Sequence, residues 1–279
     1  MQARTDLLID LALEEDAPSG DLTSESIFSP EATSVARIEA REAMTLCGLQ
    51  VVKQVFKRVS STLSVELFCE DGQQLANGDI ILRVSGPTIA ILTAERTALN
   101  FLQRLSGIAS LSRRFADAAA KSGSGVRIVD TRKTTPGWRA LEKYAVRCGG
   151  CFNHRSTLSE HVLIKENHIM AAGSIANAVE HSRAMAPHTA KIEVETENLN
   201  DVKAALAAGA EVIMLDNMSP SEIAEAVKLI NRRALIEVSG GVRLETVADY
   251  ALPGVDVISV GALTHSAKAA DLSMILESN

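Results

Sequence analysis

From about Gly125 onward, short β-branched runs alternate with amphipathic stretches of helical spacing, and few architectures accept that pattern. Residues 126–130, 162–165, 191–195, 212–216, 235–239 and 257–260 read as strands, and 174–185, 199–208, 219–230 and 244–251 as the helices between them. Strands joined through helices run parallel, because a parallel crossover needs a dozen or more residues. That leaves a barrel or a doubly wound open sheet. A dinucleotide-binding sheet would carry its glycine turn after a strand, whereas Gly123-Ser124-Gly125 precedes one, and no Gly-x-x-x-x-Gly-Lys-Ser/Thr loop occurs. A barrel is therefore predicted. The polar residues agree, since nearly every run ends in a chemically useful group: Asp130-Thr131-Arg132-Lys133, Lys165, Glu195, Asp216, Ser239-Gly240-Gly241 and Gly261-Ala262-Leu263. In a βα barrel these carboxyl ends share one face, where active sites are built.

The first 110 residues lack this repeat. An amphipathic helix over 1–16 is broken by Pro18 and Gly20. Strand-like runs follow at 34–41, 64–68 and 80–85, with turns at Asp71-Gly72 and Asn77-Gly78, and then a long helix over 93–111.

Charge narrows the function. The formal net charge is −7, which argues against general binding to nucleic acid or to an anionic membrane. No run of 18 apolar residues occurs and the N-terminal helix lacks the features of a signal peptide, so a cytoplasmic protein is expected. In this acidic chain three segments bring cations to one barrel face: Arg132 with Lys133, His154 with Arg155, and Lys165. The alternative is a solvated basic loop. Like charges at ~4 Å repel by about 4 kcal/mol at an effective dielectric of ~20, so their convergence calls for a polyanion. Arginine suits carboxylates and phosphates because its planar fork binds two oxygens at once.

Glu195 and Asp216 each end a strand and could cap a helix or pair with a cation. Beside a cationic rim they suggest Mg²⁺, which takes one or two carboxylates plus substrate oxygens, or else sugar hydroxyls. The glycines of Ser239-Gly240-Gly241 and Gly261-Ala262 let backbone N–H groups approach a phosphate, each expected just before a helix; the alternative is a tight turn. Cys148-Gly149-Gly150-Cys151 lacks the further Cys or His pair that zinc requires and follows a helix where a redox motif would open one. These thiols are read as incidental.

At this level of detail the residues resemble the quinolinate phosphoribosyltransferases. The resemblance runs in order through Gly20-Asp-Leu-Thr23, Leu46-Cys-Gly48, Glu95-Arg-Thr-Ala-Leu-Asn100, Asp130-Thr-Arg-Lys-Thr134, Lys143-Tyr-Ala-Val-Arg-Cys-Gly-Gly150 and Asn153-His-Arg155. It continues through Leu163-Ile-Lys-Glu-Asn-His168, Ile192-Glu-Val-Glu195, Ile213-Met-Leu-Asp-Asn217, Glu237-Val-Ser-Gly-Gly241 and Val260-Gly-Ala-Leu-Thr264. It implies an N-terminal α/β sandwich domain, here 1–110 with the tail 266–279 as a candidate to pack on it, and an irregular, incomplete α/β barrel over 111–265. It implies transfer of phosphoribosyl from 5-phosphoribosyl 1-pyrophosphate to quinolinate with decarboxylation, yielding nicotinate mononucleotide. Quinolinate is then expected among Arg132, Lys133, His154, Arg155, Lys165 and Arg96, the last contributed by the partner of a head-to-tail homodimer. Thr131 flanks this group. Glu195 and Asp216 are expected to face the ribose and Mg²⁺, with Lys133 and Lys165 as further catalytic candidates. Ser239, Gly240, Gly241, Gly261, Ala262 and Leu263 are expected to cradle phosphate.

The chain departs from the family pattern at Cys151, Thr157 and Glu160, where the family usually shows Gly, Gly and Asp. Thr157 would shift the loop after Arg155 if a positive φ were required there. The alternatives are a paralogue acting on another aromatic carboxylate and a noncatalytic binder of phosphosugars. Retention of Lys133, Lys165, Glu195 and Asp216 together speaks against the binder.

Overall fold

A computed structural model describes residues 2–277. In chain order the elements are α1 (Gln2–Asp16), α2 (Leu22–Ile27), β1 (Thr33–Ala40), β2 (Met44–Thr45), α3 (Leu49–Val59), β3 (Ser64–Leu67), β4 (Gln74–Leu75), β5 (Ile80–Pro87) and α4 (Thr88–Ala120). They continue as β6 (Arg127–Val129), α5 (Arg139–Cys148), β7 (Val162–Ile164), α6 (Glu166–Ala172), α7 (Ile175–Met185), β8 (Ile192–Thr196) and α8 (Leu199–Ala207). The last are β9 (Val212–Asp216), α9 (Pro220–Ile230), β10 (Leu235–Ser239), α10 (Val247–Tyr250), β11 (Val257–Ser259), α11 (Ala262–His265) and β12 (Leu272–Leu276).

The chain divides into two compact units. One holds the residues up to Arg113, Thr135–Gly150 and the segment from Ser266 on; the other holds Arg114–Thr134 and Cys151–His265. The boundary thus falls inside α4, and α5, which the sequence places within the barrel segment, groups with the first unit.

The first unit is built on an antiparallel sheet of order β12-β1-β5-β3. Alternation decides which face is buried: Ala36, Ile38 and Ala40 of β1 are fully covered, and β12 pairs along the same strand from Ala36↔Leu276 to Ala40↔Leu272. Helix α3 buries Val52, Val55 and Phe56 on one face. Its N-terminus carries no local side-chain cap; Gly48 enters with φ +119, and Asp71 from a distant turn accepts the N–H groups of Gly48 (2.9 Å) and Leu49 (3.1 Å). Helix α4 reaches beyond the expected 93–111 at both ends, to Thr88 and Ala120, and the added turns bury Ile91 on one side and Phe115 and Ala119 on the other.

Close packing in this unit depends on glycine where α5 ends. A methyl group at Gly149 would meet Ser112 Cβ at 2.5 Å and Arg113 N at 2.9 Å, both on α4. Gly149→Ala should therefore cost about 1–3 kcal/mol of stability, the usual penalty of overpacking, measured as a shift in the denaturant midpoint. An unchanged midpoint would show that α4 and α5 can separate freely.

The second unit is the barrel. Its six strands run parallel in the order β6-β11-β10-β9-β8-β7, the succession that consecutive βα units generate, with β11 returning to pair with β6. Among the described residues no ladder joins β6 to β7, so closure is incomplete. Phe152 partly fills this gap as a one-residue bridge to β6, its N–H reaching Ile128 O at 2.8 Å. Local signals set the helix starts: Ser219 and Glu222 form a capping box with Pro220 in the first turn, and Ser174 and Asn198 cap α7 and α8. Helix α10 is shorter than the expected 244–251, and Gly240-Gly241 leads into an irregular stretch before it instead of opening a helix.

Candidate active site

The carboxyl ends of the barrel strands carry the predicted groups. Lys165 directly follows β7 as the N-cap of α6, Glu195 lies near the end of β8, Asp216 and Ser239 close β9 and β10, and Gly261 lies two residues past β11. Parallel register sets neighbouring ends side by side, Glu195 opposite Met214 and Ser239 opposite Asp216.

Asp130 organises the cationic segment, a role the sequence did not single out. Fully buried after β6, its carboxylate accepts the Asn153 side-chain amide (2.6 Å) and the His154 backbone N–H (2.9 Å). That clamp fixes the Asn153-His154-Arg155 segment. Arg155 is 8% exposed and donates from Nη1 to His161 O at 3.0 Å. Burial, and then the adjacent Arg132, hold its pKa below the usual guanidinium value. Arg132 Nε is itself buried without a hydrogen-bond partner. Two crowded guanidiniums, one with an orphaned donor, form a site that an anion would complete.

Lys133 is exposed, and its backbone is fixed at both ends: its N–H donates to Thr131 Oγ1 (3.0 Å), and its carbonyl accepts Thr264 Oγ1 (2.7 Å). Its side chain passes Gly261, where an added Cβ would lie 3.1 Å from Lys133 Cδ, so the two approach closely. Lys165 forms an ion pair with Glu195. Arg96 is exposed on α4 and belongs to the first unit.

Beneath the cations lies a buried acid–imidazole cluster. His154 Nε2 is 3.5 Å from Glu193 and 3.4 Å from Glu237, and His161 Nε2 is 3.1 Å from Glu193. Burial disfavours both carboxylates. Hydrogen bonds from the two histidines override it at Glu193, lowering its pKa to about 2, whereas burial prevails at Glu237 and raises its pKa. The pair therefore separates into an ionised Glu193 and a Glu237 that holds its proton longer. For His154, burial opposes the charged form, but Glu193 and Glu237 raise its pKa to about 9. The Arg155 N–H donates to Nδ1 at 2.8 Å, which places the ring's first proton on Nε2, between the acids. A second proton would face that amide, so the two influences oppose each other.

With the folded pKa above the ordinary 6.5, His154 contributes stability that is whole below about pH 6.5 and lost as pH rises through about 9. The imidazole resonances should report this titration, and Glu237→Gln should move it downward. A wild-type midpoint at or below 6.5 would mean that burial and the amide prevail.

The late glycines hold positive φ, +88 at Gly240 and +63 at Gly241, and a Cβ at Gly240 would press on Asn217 N at 2.7 Å. Ala262 is half-buried, while Leu263 is fully buried, so only its backbone could serve a ligand. Thr157 is not among the residues with positive φ, so its replacement of glycine introduces no strain of that kind. Glu160 accepts the Ser156 N–H (2.6 Å) within the same loop. Cys151 is buried in the barrel unit, its thiol pushed up to about 12 chiefly by burial, whereas Cys148 belongs to the other unit beside Cys47 and Asp71. The thiol that the structure sets beside Cys148 is Cys47.

Fold and site define a parallel βα barrel protein with cationic groups gathered at its strand ends. The model of the quinolinate phosphoribosyl transferase C-terminal domain matches residues 108–275, and that of the N-terminal domain matches residues 21–106. The chain is 43% identical over 260 residues to a Bacillus subtilis (strain 168) protein named "Probable nicotinate-nucleotide pyrophosphorylase (carboxylating)", covering 93% of this chain and 89% of that one. It is 42% identical over 289 residues to the chloroplastic nicotinate-nucleotide pyrophosphorylase (carboxylating) of Arabidopsis thaliana, covering 97% and 82%. The crystal structure of NadC from Streptococcus pyogenes superposes with a TM-score of 0.95 at 41% identity, covering 99% of this chain and 98% of that one. The chain belongs to the quinolinate phosphoribosyltransferase family.

Proposed function

We propose that this protein transfers the phosphoribosyl group of 5-phosphoribosyl 1-pyrophosphate to the ring nitrogen of quinolinate, releasing pyrophosphate and CO₂ and leaving nicotinate mononucleotide. One observation carries the reading within the family: Arg132 and Arg155 crowd together with a buried guanidinium donor left unpaired. A dicarboxylate supplies the missing acceptors. Arg132 and Arg155 would grip quinolinate, with Lys133 and Lys165 lining the approach and His154, held between Glu193 and Glu237, supporting them from beneath. Glu195 and Asp216 would face the ribose, where positive charge develops as pyrophosphate departs. The pyridine nitrogen attacks the anomeric carbon, and the resulting pyridinium draws in the electron pair of the C2–carboxylate bond as CO₂ leaves. The vacated carbon takes a proton. Positioning and electrostatics suffice, and no side-chain nucleophile is needed. Incubation with 5-phosphoribosyl 1-pyrophosphate, Mg²⁺ and a panel of pyridine carboxylates, with products identified by mass, tests this. Quinolinate should be consumed and nicotinate used poorly, because a pocket built for a second carboxylate is left with unpaired cations. Efficient use of nicotinate with none of quinolinate would refute it.

The carboxylates Glu195 and Asp216 fit Mg²⁺ in chemistry: hard oxygen donors on neighbouring parallel strands, too few to enclose the ion without substrate oxygens. Bound there, Mg²⁺ would offset the charge of the departing pyrophosphate. Glu195→Ala and Asp216→Ala should each lower kcat/KM at least tenfold, roughly 1.4 kcal/mol, with the fold intact by circular dichroism. Turnover undiminished in both variants would remove the two carboxylates from the reaction.

The proposed assembly is a homodimer in which Arg96 serves the partner's barrel, in the cytoplasm. The four cysteines are free thiols, in keeping with a reducing compartment. Among the described residues no helix is long and apolar enough to cross a membrane.

A further inference from the structure

Cys47 and Cys148 lie far apart in sequence, yet their sulfurs and an Asp71 carboxylate oxygen all fall within 4.8 Å of one another in the first unit. Both thiols are held from the backbone. Cys47 sits between β2 and α3, its N–H donating to Ser106 Oγ (3.0 Å) while Ser106 Oγ donates back to its carbonyl (3.2 Å). Cys148 is the last residue of α5, and its carbonyl lies against the Asp71-Gly72 turn, 3.4 Å from where a Gly72 Cβ would stand.

The third member of the group is already committed. Asp71 Oδ1 accepts the N–H groups of Gly48 and Leu49, and Oδ2 accepts Tyr144 O–H at 2.9 Å. That leaves two sulfurs, half of what a structural zinc site takes, so the group is a thiol pair rather than a metal centre. The two cysteines differ in access: Cys47 is fully buried and Cys148 is partly exposed. They also differ in acidity. A hydrogen bond from Cys47 pulls the Cys148 thiol below its ordinary range, and the same bond, reinforced by burial, pushes Cys47 up. The shared hydrogen bond favours the thiolate form at the outer sulfur over the inner one, which makes Cys148 the nucleophile of the pair.

We propose that Cys47 and Cys148 are a redox-sensitive pair that a hydroperoxide converts to a reversible disulfide. The Cys148 thiolate attacks the outer peroxide oxygen, the O–O bond breaks, and a sulfenic acid forms as hydroxide leaves and is protonated to water. Cys47, giving up its proton, then attacks that sulfur; the S–S bond forms and a second water departs. Two thiols lose two electrons in total, and the peroxide gains them. A small dithiol reverses the change by exchange. The bridge ties the end of α5 to the entry of α3 and closes a long loop, so it should raise the unfolding temperature.

The full-length protein, treated with a small excess of hydrogen peroxide and then blocked with an alkylating reagent, should lose two hydrogens. Its peptide map should yield a Cys47–Cys148 cross-link, with Cys69 and Cys151 alkylated. Dithiothreitol should restore four free thiols and the lower melting temperature. In Cys47→Ser, Cys148 should stop at a sulfenic acid that dimedone traps; in Cys148→Ser, Cys47 should stay reduced. Preferential oxidation of Cys69 or Cys151, or wild-type Cys148 halting as a sulfenic acid, overturns the proposal. So does a stoichiometric metal in the purified protein that shields both sulfurs. The wild-type map decides the matter even if either variant fails to fold.

Discussion

Arg132→Ala should lose most productive quinolinate binding, by about 2–5 kcal/mol or roughly 30- to 4,000-fold, because truncating one side of a desolvated charged contact leaves the other unpaired. The effect should be far larger than for an exposed arginine, and the structure supplies the reason. Arg132 Nε is buried with no protein acceptor, and the neighbouring Arg155 is destabilised as a cation by burial and by Arg132 itself. The free protein therefore holds like charges together at a cost that substrate binding relieves. Removing Arg132 should relax Arg155 as well, so the variant should unfold at equal or higher denaturant concentration even as its KM for quinolinate rises steeply. Arg132→Lys should recover little, since a point charge cannot reproduce the two-pronged contact. Measuring KM, kcat and denaturant midpoint for both variants separates the outcomes: a parallel fall in stability and activity would make Arg132 a structural residue.

Much of this architecture was legible because local signals and global fold agree. The barrel strands fell where β-branched runs stood, β9 and β10 to the residue, and α9 began where Ser219, Pro220 and Glu222 spell a capping box. The first unit was harder because its determinants are non-local. The N-terminus of α3 is capped by Asp71 from another turn, so no signal marks its start in the sequence. Strand β12 exists by pairing with β1 at the opposite end of the chain. Within the site, the cationic segments were visible as departures from an acidic background, but what positions them was not. Asp130 reads like any strand-terminal acid until the fold turns it onto Asn153 and His154. Glu193 and Glu237 are buried at strand positions that normally hold apolar residues, and two acids in otherwise β-branched runs were the available clue. Leu263 is buried, so its side chain belongs to the core and the expected phosphate contact would fall to its backbone.

Mixing inactive Arg96→Ala with inactive Lys133→Ala should restore activity once subunits exchange. Arg96 is exposed and forms no ion pair among the described residues, and it sits on α4 in the first unit, whereas Lys133 belongs to the barrel unit and lies along Gly261. If each barrel borrows Arg96 from its partner, every mixed dimer contains one site assembled from the intact Lys133 of one chain and the intact Arg96 of the other. Its second site carries both lesions. Random exchange makes half the dimers mixed, with one good site in each, so about a quarter of wild-type activity should return. If Arg96 serves its own barrel, every site in the mixture lacks one residue or the other and nothing returns. Equal recovery of mass-verified mixed dimers in both cases leaves activity as the discriminating quantity. Silent mixed dimers would place Arg96 in its own barrel or outside the site altogether.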